Sequence, residues 1–144
     1  MIRSAREDDI PQIVWMGRRA FESGGYQRFV DFDPYSTAMS VRAFIDSPDV
    51  AFVVCDRNHL VGMAAALIAP LYFNREKRLA QEIFWWVEPD HMRETKSLLI
   101  ALETASMSKG AAVMLLPSLT LSASRLYQRM GYQPMEHYHM KALS

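Results

Sequence analysis

The chain has 144 residues, enough for one hydrophobic core, and half of them are hydrophobic, which excludes intrinsic disorder. Sixteen basic residues balance sixteen acidic ones, so no net charge draws the protein to nucleic acid or to an anionic membrane surface. One cysteine and four histidines exclude an internal disulfide and argue against a structural zinc site, so no metal is expected. No apolar run approaches the ~20 residues of a membrane span, and residues 1–11 lack the pattern of a signal peptide. We therefore expect a cytoplasmic protein with a single domain over residues 1–144.

The first half of the chain predicts a strand, two helices and a β-hairpin. Asp8 and Asp9 favour a helix start, since carboxylates stabilise a helix N-terminus, and apolar residues follow at helical spacing until Gly24-Gly25. The turn residues 56–59 separate two apolar stretches, as in a hairpin. The predicted elements are a strand over 1–6, a helix from Asp8 to Gly24, a helix from Pro34 to about Ile45, and strands over 50–55 and 60–68.

The second half predicts three further strands and two helices. Residues 70–80 are polar and basic around Leu71-Tyr72-Phe73, and a polar loop is expected after Pro89. The predicted strands cover 81–87, 112–116 and 132–141, and the predicted helices cover 97–109 and 121–130. The resulting order, β-α-α-β-β-β-α-β-α-β, is typical of an α/β fold of the α+β type, in which the strands form one mixed sheet.

Three segments of the second half carry the most specific motifs. Residues 84–89 read FWWVEP, residues 98–103 read LLIALE before Lys109-Gly110-Ala111, and residues 123–132 read ASRLYQRMGY. They are similar, in this order, to the strand with V-x-P, the LL-x-A-L-E helix and the A-x-x-L-Y-x-x-x-G-[FY] signature of the GNAT superfamily of acyl-CoA N-acyltransferases. The element order resembles that of the same family, and FWWV-x-P resembles in particular its small phage and prophage members. The resemblance implies a GNAT-like fold over nearly the whole chain.

The resemblance also implies an activity and a donor. Members of the family transfer an acetyl or other acyl group from acetyl-CoA to a primary amine of a small molecule or protein, by direct attack within a ternary complex. By resemblance, the backbone of Trp85 and Val87 binds the pantetheine arm, and Thr120 stands where the family often has an asparagine that contacts this arm. The amine acceptor is not named by the sequence, and a homodimer is left open.

One segment departs from the family pattern. The pyrophosphate loop of the family usually reads [QR]-x-x-G-x-[GA], whereas residues 90–97 read DHMRETKS and no glycine occurs between Met63 and Lys109. The N–H groups of a helix N-terminus still bind an anion, and basic and hydroxyl side chains add charge and donors. The same side chains can also occlude the groove. The predicted phosphate site consists of Arg93, Glu94, Thr95, Lys96 and Ser97.

Tyr127 is the candidate general acid. Acyl transfer to an amine needs a base for the amine and an acid for the departing thiolate. By resemblance, the Tyr127 hydroxyl lies near the thioester sulfur, and a phenol of pKa about 10 matches a thiolate of similar basicity. Ala123, Tyr127 and Met130 also share one helical face, so a role in core packing is the alternative.

Glu82 is the candidate general base. It lies in an otherwise apolar strand, and regular alternation would put it on the same face as Phe84 and Trp86. Burial there would raise the pKa of the carboxylate toward the operating pH. A glutamate at a strand end that points to solvent is the alternative interpretation.

The acceptor site is expected between the first two helices, the loop after them and residues 70–80. An aromatic wall would come from Tyr26, Phe29, Phe32 and Tyr35, and Asp31 and Asp33 would suit a cationic amine.

The sequence leaves two hypotheses about function. Tyr127 and Glu82 favour an active N-acetyltransferase, whereas the glycine-free segment favours a catalytically inactive GNAT-fold binding protein, such as a phage-encoded factor that contacts a host protein.

Overall fold

Five strands form one sheet, in the order β1-β2-β3-β4-β5, and helices pack on both of its faces. The computed structural model describes all residues, 1–144. The strands are β1 (Ile2–Ser4), β2 (Val50–Asp56), β3 (Leu60–Leu71), β4 (Asn74–Val87) and β5 (Ala111–Leu115), and the helices are α1 (Ile10–Ser23), α2 (Pro34–Asp46), α3 (Thr95–Ser108) and α4 (Leu121–Arg129). Strands β1 to β4 are antiparallel neighbours, whereas β5 runs parallel to β4. This architecture confirms the predicted mixed α+β fold.

Two apolar clusters lie on opposite faces of the sheet. Leu98 and Leu102 of α3 pack on one face, and Ile13, Met16 and Val41 of α1 and α2 pack on the other. Strands β2 and β3 contribute side chains to both clusters, because successive residues of a strand point to opposite faces. Their nearly continuous apolar sequences are therefore explained by burial on both sides.

The β3–β4 hairpin is longer than the sequence predicts. β3 continues to Leu71 instead of Ile68, and β4 begins at Asn74 instead of Gln81. The first residues of β4 are exposed and polar, so they lack the apolar alternation by which a strand is recognised. Pairing with β3 defines the strand there, and only Tyr72 and Phe73 connect the two strands.

The strand predicted over residues 132–141 is not formed. α4 is followed by Gly131, whose φ of +97° lies in the left-handed region that glycine adopts readily. Tyr132 then turns back onto the helices, donating its N–H to the Tyr127 carbonyl at 3.0 Å and its hydroxyl to Glu103 at 2.7 Å. Pro134 lacks the N–H that a strand ladder needs, and the residues beyond Tyr132 have no regular secondary structure.

Arg3 binds the N-terminal segment to the end of β2. Its guanidinium donates to Asp9 at 2.8 and 2.9 Å and to Asp56 at 2.9 Å. Asp9 is buried and also accepts the N–H of Arg6 at 2.8 Å. The bond from Arg3 is the main reason that the pKa of Asp9 lies below its usual value.

We expect Asp9→Ala to lower the free energy of unfolding by about 1–3 kcal/mol at pH 7, since the partly buried Arg3 guanidinium loses one of its two carboxylate partners and the Arg6 N–H loses its acceptor. A carboxyl group whose folded pKa is depressed stabilises the fold above its unfolded pKa of about 3.9, and this contribution disappears as the pH falls through the folded pKa. The difference in the free energy of unfolding between wild type and variant should therefore be smaller at pH 3 than at pH 7. Urea unfolding at both pH values tests this, with the exposed Asp8→Ala as control; a pH-independent difference would contradict it.

Candidate active site

Strands β4 and β5 separate partway along their length. β5 pairs with β4 only over Arg78–Gln81, whereas β4 continues to Val87. Residues 82–87 therefore lie along an edge that no strand covers. Glu88 donates its N–H to Val61 of β3 at 2.8 Å, so the backbone groups of Trp85 and Val87, at the alternate positions, point to the open edge.

A β-bulge in β4 decides which side chains face this opening. Ile83 is an extra residue in the pairing with β3, and it packs with Phe84 and Trp86 on the α1/α2 face. Ala80 lies on the α3 face, and strand alternation then places Glu82 on that same face. The prediction that Glu82 shares a face with Phe84 and Trp86 is therefore wrong, because it assumed a regular strand.

Tyr127 is buried and hydrogen-bonded through its hydroxyl. Trp85 donates its indole N–H to the hydroxyl oxygen at 2.6 Å, and the hydroxyl donates to the Pro117 carbonyl at 3.1 Å. Both directions are unambiguous, since an indole N–H only donates and a carbonyl only accepts. Burial raises the pKa of Tyr127 to about 12, and the bond from Trp85 acts in the opposite direction.

Glu82 and Tyr127 form an interacting pair beside the open edge. Burial raises the pKa of Glu82 to about 7, so its carboxyl group changes protonation near neutral pH. The negative charge of Glu82 also contributes to the raised pKa of Tyr127. A carboxylate near neutral pKa and a phenol that retains its proton are the properties of a base and an acid that act together.

The glycine-free segment is not a loop. Residues Pro89–Glu94 form two short 3₁₀ turns that meet at a kink at His91, and the second turn leads into α3. Glu94 is buried, and Arg57 of the β2–β3 turn donates to both of its carboxylate oxygens at 2.9 Å. The Glu94 carboxylate therefore anchors this segment to the β2–β3 turn, and only its backbone remains available to a phosphate.

The other side chains of the predicted phosphate site fit an anion. Arg93, Lys96 and Ser97 are exposed at the N-terminus of α3. Thr95, the first residue of that helix, is buried, and its hydroxyl has no hydrogen-bond partner. A helix N-terminus, two cations and an unpaired hydroxyl make a suitable environment for a pyrophosphate.

Thr120 and Asp33 both serve as helix N-caps. The Thr120 hydroxyl oxygen accepts the N–H of Ala123 at 3.1 Å, which leaves its proton free to donate. Asp33 accepts the N–H groups of Tyr35 at 3.0 Å and Ser36 at 3.3 Å, and the hydroxyl of Ser36 lowers its pKa. The Asp33 carboxylate is thus occupied at the start of α2, whereas Asp31, which is also exposed, caps no helix.

The aromatic residues of the α1–α2 loop are only partly assembled. The Phe21 ring lies 5.4 Å from Phe32 and 6.1 Å from Tyr26. Tyr35, by contrast, is 74% exposed and does not join this cluster. Tyr72 and Phe73, at the tip of the β3–β4 hairpin, are also exposed.

Three elements of the site were missed by sequence reasoning. These are the Trp85 indole as a partner of Tyr127, the Pro117 carbonyl, and Arg57 as the partner of Glu94. Each contact joins residues at least ten positions apart, and no local pattern of the sequence reports it.

Among His, Cys, Asp and Glu side chains, no group of three or more is arranged to hold a metal ion. None of the helices has the length and hydrophobicity to cross a bilayer.

The fold and the separated β4–β5 strands, with a buried tyrosine beside the opening, define an acyltransferase-type architecture, and the comparisons identify the family. Residues 11–132 match the model of the acetyltransferase (GNAT) family, and the chain belongs to that family. The search of curated proteins gives no significant match.

Solved structures share the fold at low sequence identity. A predicted acetyltransferase of Clostridium acetobutylicum, solved with acetyl-CoA, has a TM-score of 0.78 and 15% identity over 99% of this chain and 96% of that one. A Trypanosoma brucei acetyltransferase has a TM-score of 0.74 and 18% identity over 99% of both chains. An aminoglycoside acetyltransferase from an uncultured soil metagenomic sample has a TM-score of 0.70 and 19% identity over 98% of this chain and 95% of that one.

We expect Glu82→Gln to stabilise the fold at pH 8. A carboxyl group with a raised folded pKa favours the fold below its unfolded pKa, and this contribution is lost as the pH rises from about 4.5 through about 7. At 1.36 kcal/mol per pKa unit, the gain at pH 8 reaches at most about 3 kcal/mol and disappears near pH 4. Urea unfolding at both pH values tests this, with the exposed Glu76→Gln on the same strand as control. Equal stability of wild type and Glu82→Gln at pH 8 would mean that Glu82 is solvated.

Proposed function

We propose that the protein is an N-acetyltransferase that transfers an acetyl group from acetyl-CoA to a primary amine of a small molecule or protein. The observation that carries the proposal is the buried Tyr127 hydroxyl beside the uncovered edge of β4, bonded to Trp85 of that strand at 2.6 Å, with the Glu82 carboxyl group on the α3 face of the same strand. Membership in the GNAT family supports it. We further propose that residues 1–144 act as one domain in the cytoplasm, and the FWWV-x-P spelling supports a small phage or prophage-type member.

The donor is proposed to lie along the open edge. The backbone groups of Trp85 and Val87 would bond to the pantetheine amides, and the Thr120 hydroxyl would donate to the same arm. The pyrophosphate would lie at the α3 N-terminus, against Arg93, Thr95, Lys96 and Ser97, with Glu94 contributing through its backbone. Acetyl-CoA supplies an activated acetyl group, and a direct attack by the amine within the ternary complex completes the transfer.

Glu82 and Tyr127 would carry the two proton transfers. Glu82 accepts the proton that the amine nitrogen loses as the C–N bond forms. Tyr127 gives its proton to the sulfur as the C–S bond breaks, which leaves a free thiol and a phenolate. The proton on Glu82 then returns to Tyr127 through water, so the balance closes. Because the Glu82 charge raises the pKa of Tyr127, neutralising Glu82 makes Tyr127 a stronger acid when its proton is needed.

A second candidate function, a catalytically inactive GNAT-fold protein that contacts another protein, is favoured by one observation. The segment that corresponds to the pyrophosphate loop consists of two 3₁₀ turns held by the Arg57–Glu94 pair. Side chains in these turns can narrow the donor groove. A measurement of donor binding discriminates between the two functions, because the second function does not require that the protein bind a donor.

We expect acetyl-CoA at ~100 times its dissociation constant to add roughly 2.7 kcal/mol to the free energy of unfolding. Arg93→Ala/Lys96→Ala should weaken this effect, since each lost charge-assisted hydrogen bond removes about 1.5–3 kcal/mol of binding. Thermal unfolding with and without donor measures both effects, and Arg6→Ala/Arg42→Ala removes the same charge elsewhere. No stabilisation of the wild type at millimolar donor would favour the non-enzymatic function.

We expect Tyr127→Phe to lower kcat by ~10²–10⁴-fold with little change in donor affinity, since it removes the acid and keeps the ring. Release of the CoA thiol, measured with a panel of amines and peptides and as slow donor hydrolysis, gives the rate. Tyr132→Phe is the matched control, because it also loses a hydroxyl with a hydrogen bond, to Glu103. Full turnover by Tyr127→Phe on any acceptor would exclude Tyr127 as the acid.

A further inference from the structure

The proposed donor groove uses Trp85 through its backbone alone, whereas the indole ring of this residue contacts Tyr127. The ring packs at the margin of the α3-side cluster, and its N–H donates to the Tyr127 oxygen at 2.6 Å. Two elements, β4 and α4, are joined by this bond across 42 positions of the sequence. The indole therefore defines where the phenol oxygen lies relative to the open edge of β4.

The adjacent Trp86 shows that burial alone does not produce such a bond. Trp86 packs on the α1/α2 face, and its indole N–H is buried without any hydrogen-bond partner. The two neighbouring residues have the same side chain and lie on the same strand. Only the one that faces α4 has an acceptor, so the Trp85 bond is specific to the Tyr127 site.

The hydrogen bonds of Tyr127 change unequally when its proton leaves. In the resting protein the hydroxyl accepts from Trp85 and donates to the Pro117 carbonyl. After the proton passes to sulfur, the carbonyl has nothing to accept, whereas the indole N–H still donates to the oxygen. Of the two groups bonded to this oxygen, Trp85 is therefore the one that stabilises a phenolate. A bond to a charged acceptor is stronger than one to a neutral acceptor, so it strengthens as the proton departs.

We propose that Trp85 is a positioning residue for the acid step, which holds the Tyr127 oxygen in place through its indole N–H and stabilises the phenolate formed when Tyr127 protonates the leaving sulfur. This inference rests on the proposed function, in which Tyr127 is the acid. Burial works against the phenolate, and the bond from Trp85 opposes that effect on the pKa of Tyr127. The proton transfer from Tyr127 to the leaving sulfur needs no group beyond those already named.

The first test detects the hydrogen bond without any substrate. The protein has three tryptophans, so its ¹H–¹⁵N spectrum contains three indole N–H signals. We expect one signal to be shifted downfield and protected from exchange, to be missing in Trp85→Phe, and to move in Tyr127→Phe. The signal of Trp86, missing in Trp86→Phe, should stay in place in Tyr127→Phe. An unmoved Trp85 signal in Tyr127→Phe would overturn the inference, because no bond would join the two side chains.

The second test measures turnover and separates this inference from the proposed function. Trp85→Phe should lower kcat by about 10- to 100-fold with the donor KM nearly unchanged, as expected for one hydrogen bond to a group that becomes charged. Trp86→Phe loses an unpaired N–H and should stay near the wild-type kcat. The double variant Trp85→Phe/Tyr127→Phe should be no slower than Tyr127→Phe alone, because Trp85 acts through Tyr127.

An isosteric replacement covers the case in which Trp85→Phe does not fold. Benzothienylalanine at position 85 keeps the ring shape and replaces only the N–H by sulfur, and we expect the same loss of kcat. If Tyr127→Phe is slow but neither change at position 85 affects kcat, the positioning role is wrong while the acid role stands. If Tyr127→Phe itself turns over normally, the proposed function fails and this inference fails with it.

Discussion

The short parallel pairing between β4 and β5 is the constraint on which the site depends. The register ends at Gln81, because β5 is brief and Pro117, two residues after it, cannot donate to a ladder. β4 continues alone, so its backbone groups from residue 82 onward lack a strand partner on that side. Tyr127 lies at the margin of this opening, where its hydroxyl accepts from Trp85 of β4 and donates to the carbonyl of Pro117, which follows β5.

The bulge at Ile83 is a second constraint that the pairing of β4 imposes on the site. One extra residue in β4 shifts the alternation, so Glu82 faces the α3 side, as does Trp85, the partner of Tyr127, while Phe84 and Trp86 complete the α1/α2 cluster. The same burial that makes the core also desolvates Glu82 and Tyr127 and raises the pKa of each. Stability and reactivity are thus opposed at Glu82, since a carboxylate in this place destabilises the fold in which it would act as base.

The N-terminus of α3 shows how the chain forms an anion-compatible end without glycine. Glycine would let an extended loop approach a ligand closely, whereas here two 3₁₀ turns, with a kink at His91 between them, lead into α3. The stability of these turns comes from tertiary contact, because Glu94 points inward to Arg57 of the β2–β3 turn. The cations of the segment, Arg93 and Lys96, point outward, and the unpaired hydroxyl of Thr95 lies at the first turn of α3.

Much of the fold was predictable because the responsible signals are local. Carboxylates and Pro34 at helix starts, apolar spacing, the turn around Asn58 and Gly110 after α3 define the elements, and the motif around Tyr127 indicated the family. The boundaries of β4 and the absence of a last strand were not predictable in this way. Exposed strand residues carry no periodic pattern, and a segment forms a strand only if an edge accepts it.

Sequence alone thus determined the order of the elements as far as α4 and the residue types of the site, because periodicity and capping act between residues a few positions apart. Tertiary structure alone decided which face Glu82 takes, which of two adjacent tryptophans meets Tyr127, and that Glu94 is an anchor. These outcomes depend on a one-residue bulge and on contacts between residues 37 and 42 positions apart. In a strand, a shift of one residue exchanges the two faces, so no pattern within the strand itself can reveal which face a side chain will take.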